Sequence, residues 1–206
     1  MPNHFDTAAA QWDQNRMHNE RTRSIAEAMI KSGIFRPGLR GLEFGAGTGL
    51  LSIALKDYVE TLLLIDSSPE MVRVTQEKLD QQGIRHLHPQ CIDLETQEFS
   101  TEIVDLLFSQ MALHHVGQVP PMLKKFHTLL KPGGQLFIAD LYSEDGDFHE
   151  GNPDVHHGFD LTELSRWCEE AGFTAVRGEA VFIMHKTMHD GILKAFPVFL
   201  LHAQRP

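Results

Sequence analysis

The 206-residue sequence has only two cysteines, Cys91 and Cys168, and they form no motif with each other. Two isolated thiols read as reduced residues of a cytoplasmic protein. No apolar run approaches the ~18 residues that a bilayer span needs. The most apolar stretch, residues 192–201, is short and holds Lys194 and Pro197. The first residues, Met1-Pro2-Asn3-His4-Phe5-Asp6, lack a basic region followed by an apolar core, so no signal peptide is expected. A Lys/Arg cluster is also missing. The densest basic stretch, residues 16–23, is interrupted by Glu20, and 18 basic against 28 acidic residues leave a formal charge of −10. A phosphate backbone would be repelled, so nucleic acid is not an expected partner. There is no internal repeat and no low-complexity segment. No G-x-x-x-x-G-K-[ST] occurs, which excludes a P-loop.

What is present is ordinary for a folded domain: 42% hydrophobic and 22% charged residues. A chain of this length fits one domain with some extra elements. Short β-rich runs alternate with amphipathic helical stretches, the pattern of a parallel sheet covered by helices on both faces. Strands are expected at 39–44, 61–65, 84–90, 103–108, 135–141, 173–183 and 198–203. Helices are expected at 20–31, from Leu50, at 69–82, 120–130 and 161–171. Ser68 followed by Pro69 marks a capped helix start, and Gly83 a stop. Residues 142–159 form a long acidic loop. A boundary near Arg36-Pro37 separates an N-terminal helical arm (1–36) from an α/β domain (37–206).

Three features fall at the carboxyl ends of successive strands, the edge where open α/β sheets bind ligands. The turn Glu43-Phe44-Gly45-Ala46-Gly47-Thr48-Gly49 lets backbone turn sharply and approach a ligand, and the helix after it offers free N–H groups. Asp66 ends the next strand, where a carboxylate can accept from ribose hydroxyls. Asp93 follows the third strand and could accept from an adenine amino group. Each alone also fits a plain reading: a strand-to-helix turn, a carboxylate at a helix start, a solvated side chain. The spacing separates cofactors. A dinucleotide fingerprint needs glycine at the sixth position from Gly45, which is Leu50.

With these residues in view, the chain resembles the class I S-adenosylmethionine (SAM)-dependent methyltransferases, in particular the small-molecule group of ubiquinone and menaquinone biosynthesis. The resemblance runs through residues 41–49, Ile65-Asp66-Ser67-Ser68-Pro69-Glu70-Met71, Cys91-Ile92-Asp93-Leu94, residues 105–115, and Leu130-Lys131-Pro132-Gly133-Gly134. It implies a Rossmann-like three-layer sandwich, with a seven-stranded, mostly parallel sheet whose last strand is antiparallel. It also implies site roles. Glu43 would lie near the methionine amino group, and Gly45, Ala46, Gly47 and Gly49 would form the turn that approaches the methionine portion. Asp66 would bind the ribose. Ser67, Met71, Asp93 and Leu94 would surround the adenine. Gln110 would lie beside the sulfonium, with Trp12 on the segment that folds over the cofactor. S-adenosylhomocysteine would be the product. Alternatives are a non-catalytic SAM-binding sensor module and an NAD(P)-dependent oxidoreductase.

Thirteen histidines invite a metal site. The pairs His114-His115 and His156-His157 are adjacent, so their rings are expected to diverge. No cysteine or carboxylate stands at zinc-type spacing near them. No metal is expected. His86 and His88 read as strand surface. His115 and His157 are the candidate general bases or substrate contacts, although in-line methyl transfer can proceed on positioning and water exclusion alone. A small-molecule acceptor pocket is expected between the arm, with Trp12, Met17, His18 and Arg21, and the 142–159 loop. The loop's acidic residues disfavour an anionic acceptor unless Arg21 or Arg16 faces inward.

Overall fold

A computed structural model describes residues 4–99 and 103–206. Seven strands form one sheet in the order β3-β2-β1-β4-β5-β7-β6. They are β1 (Arg40–Phe44), β2 (Thr61–Asp66), β3 (Leu87–Cys91), β4 (Val104–Gln110), β5 (Leu130–Leu141), β6 (Thr174–Thr187) and β7 (Leu193–Gln204). All pairings from β3 to β5 are parallel. β7 is antiparallel to both of its neighbours, so it alone runs against the rest.

Alternation of side chains across the strands builds two cores. On one face Leu42, Ile65, Leu107, Leu136 and Ile138 pack under α5 (Val119–Leu129) and α6 (Leu161–Glu170). On the other, Leu62, Leu64, Leu106, Phe108, Phe137 and Ala139 pack under α2 (Arg16–Lys31), α3 (Leu50–Leu55) and α4 (Pro69–Gln82). The central strands are covered on both sides, and this is why they read as continuous apolar runs. Local signals set the helix ends. The Asn15 side chain accepts from the N–H of Met17 at the start of α2, and Ser68 from that of Met71 at the start of α4, with Pro69 in the first turn. Asp160 accepts from the N–H groups of Thr162 and Glu163 in α6, and Gly83 closes α4 with φ 68°.

Four elements start three or more residues from the sequence expectation. β3 starts at Leu87 and not at Ile84, because the Ile84 N–H bonds back to the Leu79 carbonyl and closes α4. β7 begins at Leu193, five residues before the expected start, because it forms a long hairpin with β6. β5 begins at Leu130, which pairs with Val104 before the register shifts. α2 begins at Arg16, preceded by a short α1 (His4–Ala8) and a 3-10 turn (Ala9–Gln14). The N-terminal arm is therefore of two kinds. Ile25, Ala26 and Met29 of α2 are core residues, whereas residues 4–14 lie across the sheet edge.

The acidic loop 142–159 is anchored, not free. Tyr142 bridges to Phe159, Lys194 on β7 pairs with Asp145 and Asp147, and Lys186 on β6 pairs with Glu150.

Candidate active site

The strand order reverses between β1 and β4, and the crevice outside their carboxyl ends is where such sheets bind ligands. A cleft of about 980 Å³, counted with its mouth, opens there. Trp12, Glu43, Gly45, Ala46, Gly47, Asp66, Ser67, Met71, Asp93, Leu94 and Gln110 all line it, as does His115. Two expected residues do not. Gly49 caps α3 in the left-handed region at φ 73°, and a Cβ there would meet Thr75 at 2.9 Å. It serves the contact between α3 and α4. His157 is exposed, with its ring against Gly146 and its Nε2 3.4 Å from the Asn152 carbonyl. The loop fold turns it away from the cleft. No residue of 142–159 lines the cleft at all. The expected pocket between arm and loop is instead a pocket between arm and sheet edge.

The three glycines of the turn divide their work. A Cβ on Gly45 would lie 2.2 Å from that of Ala112, so Gly45 lets the turn pack on the segment after β4. A Cβ on Gly47 would meet nothing nearer than the Met71 sulfur at 4.0 Å and would project into open space. Asp66 ties the turn together: one oxygen accepts from the Gly47 N–H at 2.7 Å, the other from that of Ser68 at 2.9 Å. Burial raises its pKa despite these bonds. Asp93 is held by its own turn, accepting from the Glu95 N–H at 3.0 Å and the Thr96 hydroxyl at 2.6 Å. Glu43 is fully buried and accepts from the Ser52 hydroxyl; burial pushes its carboxyl up to about 8.

Residues 4–14 close over this edge. Asp13 accepts from the Thr48 hydroxyl and from Lys78, both at 2.5 Å. Asp6 accepts from the Ser68 hydroxyl at 2.6 Å. The Phe5 ring stands edge-on to Trp12 at 6.2 Å and to His115 at 5.0 Å.

Arg21 is the cation that the sequence left undecided, and it faces inward. It lines the cleft at 4% exposure, and burial lowers its pKa to about 10. Its Nε has no hydrogen-bond partner among the described residues, and one Nη approaches only the Met184 sulfur. Arg16 instead points outward and pairs with Glu20. Gln110 is complementary: its amide nitrogen donates to Thr22 at 3.0 Å, while its buried Oε1 has no partner among the described residues. An unpaired buried cation and an unpaired buried acceptor are costly on their own. Both groups line the same cleft. Met111, just after β4, lines the same cleft with a positive φ of 53°, the kind of strain that clusters at ligand clamps.

One sequence expectation fails here. The rings of His114 and His115 do not diverge. A 3-10 turn (Leu113–His115) stacks them 4.1 Å apart, and His149 from the loop packs on both. Their distance in sequence from His149 gave no signal for this.

Comparisons with known proteins agree with the fold. Residues 42–138 match a family model described as a methyltransferase domain. An uncharacterized methyltransferase of Schizosaccharomyces pombe is 35% identical over 140 residues, which is 60% of this chain and 49% of the relative. The ubiquinone biosynthesis O-methyltransferase of Coxiella burnetii is 29% identical over 157 residues, 69% of this chain and 67% of the relative. The chain thus spans about half the length of the first and two thirds of the second. Among solved structures, Haemonchus contortus phosphoethanolamine N-methyltransferase 2 in complex with S-adenosyl-L-methionine superposes with a TM-score of 0.72. That match is 17% identical and covers 88% of this chain and 52% of the other. No helix among the described residues is long and apolar enough to cross a membrane.

Proposed function

We propose that this chain, which carries a class I SAM-dependent methyltransferase domain with SAM as its cofactor, transfers a methyl group to a small molecule. The observation that carries the reading is the pair of unsatisfied buried groups, Arg21 and Gln110, beside a glycine turn whose Gly47 leaves ligand-sized space. Arg21 holds the cofactor's carboxylate. Gln110 Oε1 and the Glu43 carboxyl face its ammonium. Asp66, which retains a lone pair on each oxygen, accepts from the ribose hydroxyls, and Ser67, Met71 and Leu94 enclose the adenine with Asp93 at its rim.

When bound, the cofactor supplies an electrophilic methyl group on a sulfonium. The protein's part is to place that group and keep water out. Phe5 and Trp12, latched through Asp6 and Asp13, form the cover. His115 lines the cleft and is within reach of an acceptor there, so it is the candidate general base. A small acceptor suits a cleft closed by the chain's own arm and a surface of net charge −10. The free thiols Cys91 and Cys168 suit the cytoplasm. The test is incubation with methyl-labelled SAM and a panel of phenols, amines and thiols, read by mass spectrometry. Labelled product with concurrent S-adenosylhomocysteine supports the reading. SAM binding without product from any acceptor class points to a sensor module, and absence of SAM binding overturns it.

A further inference from the structure

We propose that His114, His115 and His149 form a binding site for one divalent transition-metal ion of the zinc type, at the wall of the cleft. The three side chains each offer a nitrogen, and these atoms lie within 4.8 Å of one another. The ring centroids are 4.1, 4.8 and 5.3 Å apart. Two nitrogens on one tetrahedral zinc at 2.0–2.1 Å stand about 3.3 Å apart, so the cluster must close by roughly 1.5 Å at most. His149 sits on a loop and can supply that movement by side-chain rotation.

Two independent features fit a metal better than a cluster of rings. His114 is buried, and its Nδ1 donates to the fully buried Asp140 at 2.6 Å, which leaves Nε2 as the ligand atom. A carboxylate behind the outer nitrogen of a ligating histidine is the usual support of a zinc site. Asp140 is itself fixed by the N–H groups of His114 and Leu141. Second, the buried Nε2 of His149 has no hydrogen-bond partner among the described residues. A stacking role gives no reason for an orphaned lone pair. The turn bearing His114 and His115 is pinned from the same loop. The His156 N–H donates to the His114 carbonyl at 2.8 Å, and the His156 ring bonds the Val116 carbonyl at 3.0 Å. Lys186 and Arg21 are the nearby cations, and the Asp140 charge opposes them.

Three imidazoles leave the fourth tetrahedral position open, the arrangement of catalytic rather than structural zinc. Because His115 also lines the cleft, that position would take the oxygen of an ionisable acceptor hydroxyl, whose pKa the metal would lower so that its proton passes to solvent; with metal bound, His115 would be a ligand and not the general base. This acceptor role rests on the methyl-transfer reading; the metal site does not.

The test uses tag-free, chelator-treated full-length protein titrated with Zn²⁺ by calorimetry and with Co²⁺ by visible absorption. One equivalent per chain with tetrahedral d–d bands is expected. His149→Ala, with folding checked by circular dichroism, should abolish the bands. Asp140→Asn should weaken affinity by about 10–100-fold. His185→Ala, at an exposed site on β6, should leave binding unchanged. No stoichiometric binding by the wild type, or undiminished binding by folded His149→Ala, overturns the proposal. SAM affinity is measured on the same samples. Metal binding without SAM binding sinks the methyl-transfer reading and leaves the site standing; SAM binding without metal binding does the reverse.

Discussion

The two walls of the cleft are built on opposite plans. One wall is nearly contiguous: residues 43–48, with Asp66 and Met71 from the next strand and helix. The other is assembled from distant pieces: Phe5, Trp12 and Arg21 of the arm, residues 110–116 after β4, and His149 and Asp140 behind them. The first wall is held by backbone geometry and short-range hydrogen bonds. The second is held by packing and buried charge. Changes in the first should therefore separate cleanly into fold defects and ligand defects, while changes in the second should trade stability against binding.

The largest effect should come from comparing Gly45 and Gly47. Gly45→Val forces a branched side chain against Ala112 at a positive φ and should cost about 3 kcal/mol or more, seen as a lowered Tm. Gly47→Val carries the same positive-φ strain but meets no Ala112 clash, and it fills the ligand's space, so SAM binding should vanish by calorimetry with a smaller fall in Tm. Equal Tm losses in the two variants would break the division of labour. Next is Arg21→Met. One or two charge-assisted bonds at about 1.5–3 kcal/mol each imply roughly hundredfold weaker SAM binding. The cofactor-free variant should be as stable as wild type or more so, because an unpaired buried charge is removed. A large Tm loss with unchanged affinity would make Arg21 a structural residue.

Asp66→Asn should weaken SAM binding by about tenfold. Because Asp66 also accepts from the Gly47 and Ser68 N–H groups, this variant should also loosen the glycine turn, visible as faster amide exchange at Gly47. The Glu43 effect is read in the pH slope of stability and not in ligand affinity. Its carboxyl titrates near 4.5 in the unfolded chain and at about 8 in the folded one. Between these values the folded state binds the extra proton, so this group lowers stability as pH rises and contributes no further slope above about 8. Glu43→Gln should flatten that part of the Tm profile between pH 4.5 and 8. A difference curve between wild type and variant that is level across this window would rule the titration out.

The sheet was legible because burial on two faces leaves a mark in composition: central strands are unbroken apolar runs. Strand ends were less so. The last strand is expected only from Val198, yet Pro197 already lies on β7 and pairs with Ile183. Ile84 reads as strand, yet it closes a helix. Both depend on neighbours far along the chain. The glycine turn was legible as a motif, but not the separate tasks of its glycines. Gly45 answers to Ala112 and Gly49 to Thr75, partners 67 and 26 residues away by number.

By itself, then, the sequence determined the alternation of strands and helices, the capped start of α4 at Ser68-Pro69, and the placing of Gly47 and Asp66 at the carboxyl edge of the sheet, where the cleft opens. These follow from side-chain period, backbone freedom and short-range hydrogen bonds, all of which act within a few residues. Only the tertiary structure decided that Arg21 points inward and Arg16 outward, that His157 turns away while His149 comes in, and that His114 and His115 stack instead of diverging. Those outcomes depend on which buried group finds a partner across the fold. Asp140, 26 residues beyond His114 in the chain, is such a partner, and adjacency in sequence carries no record of it.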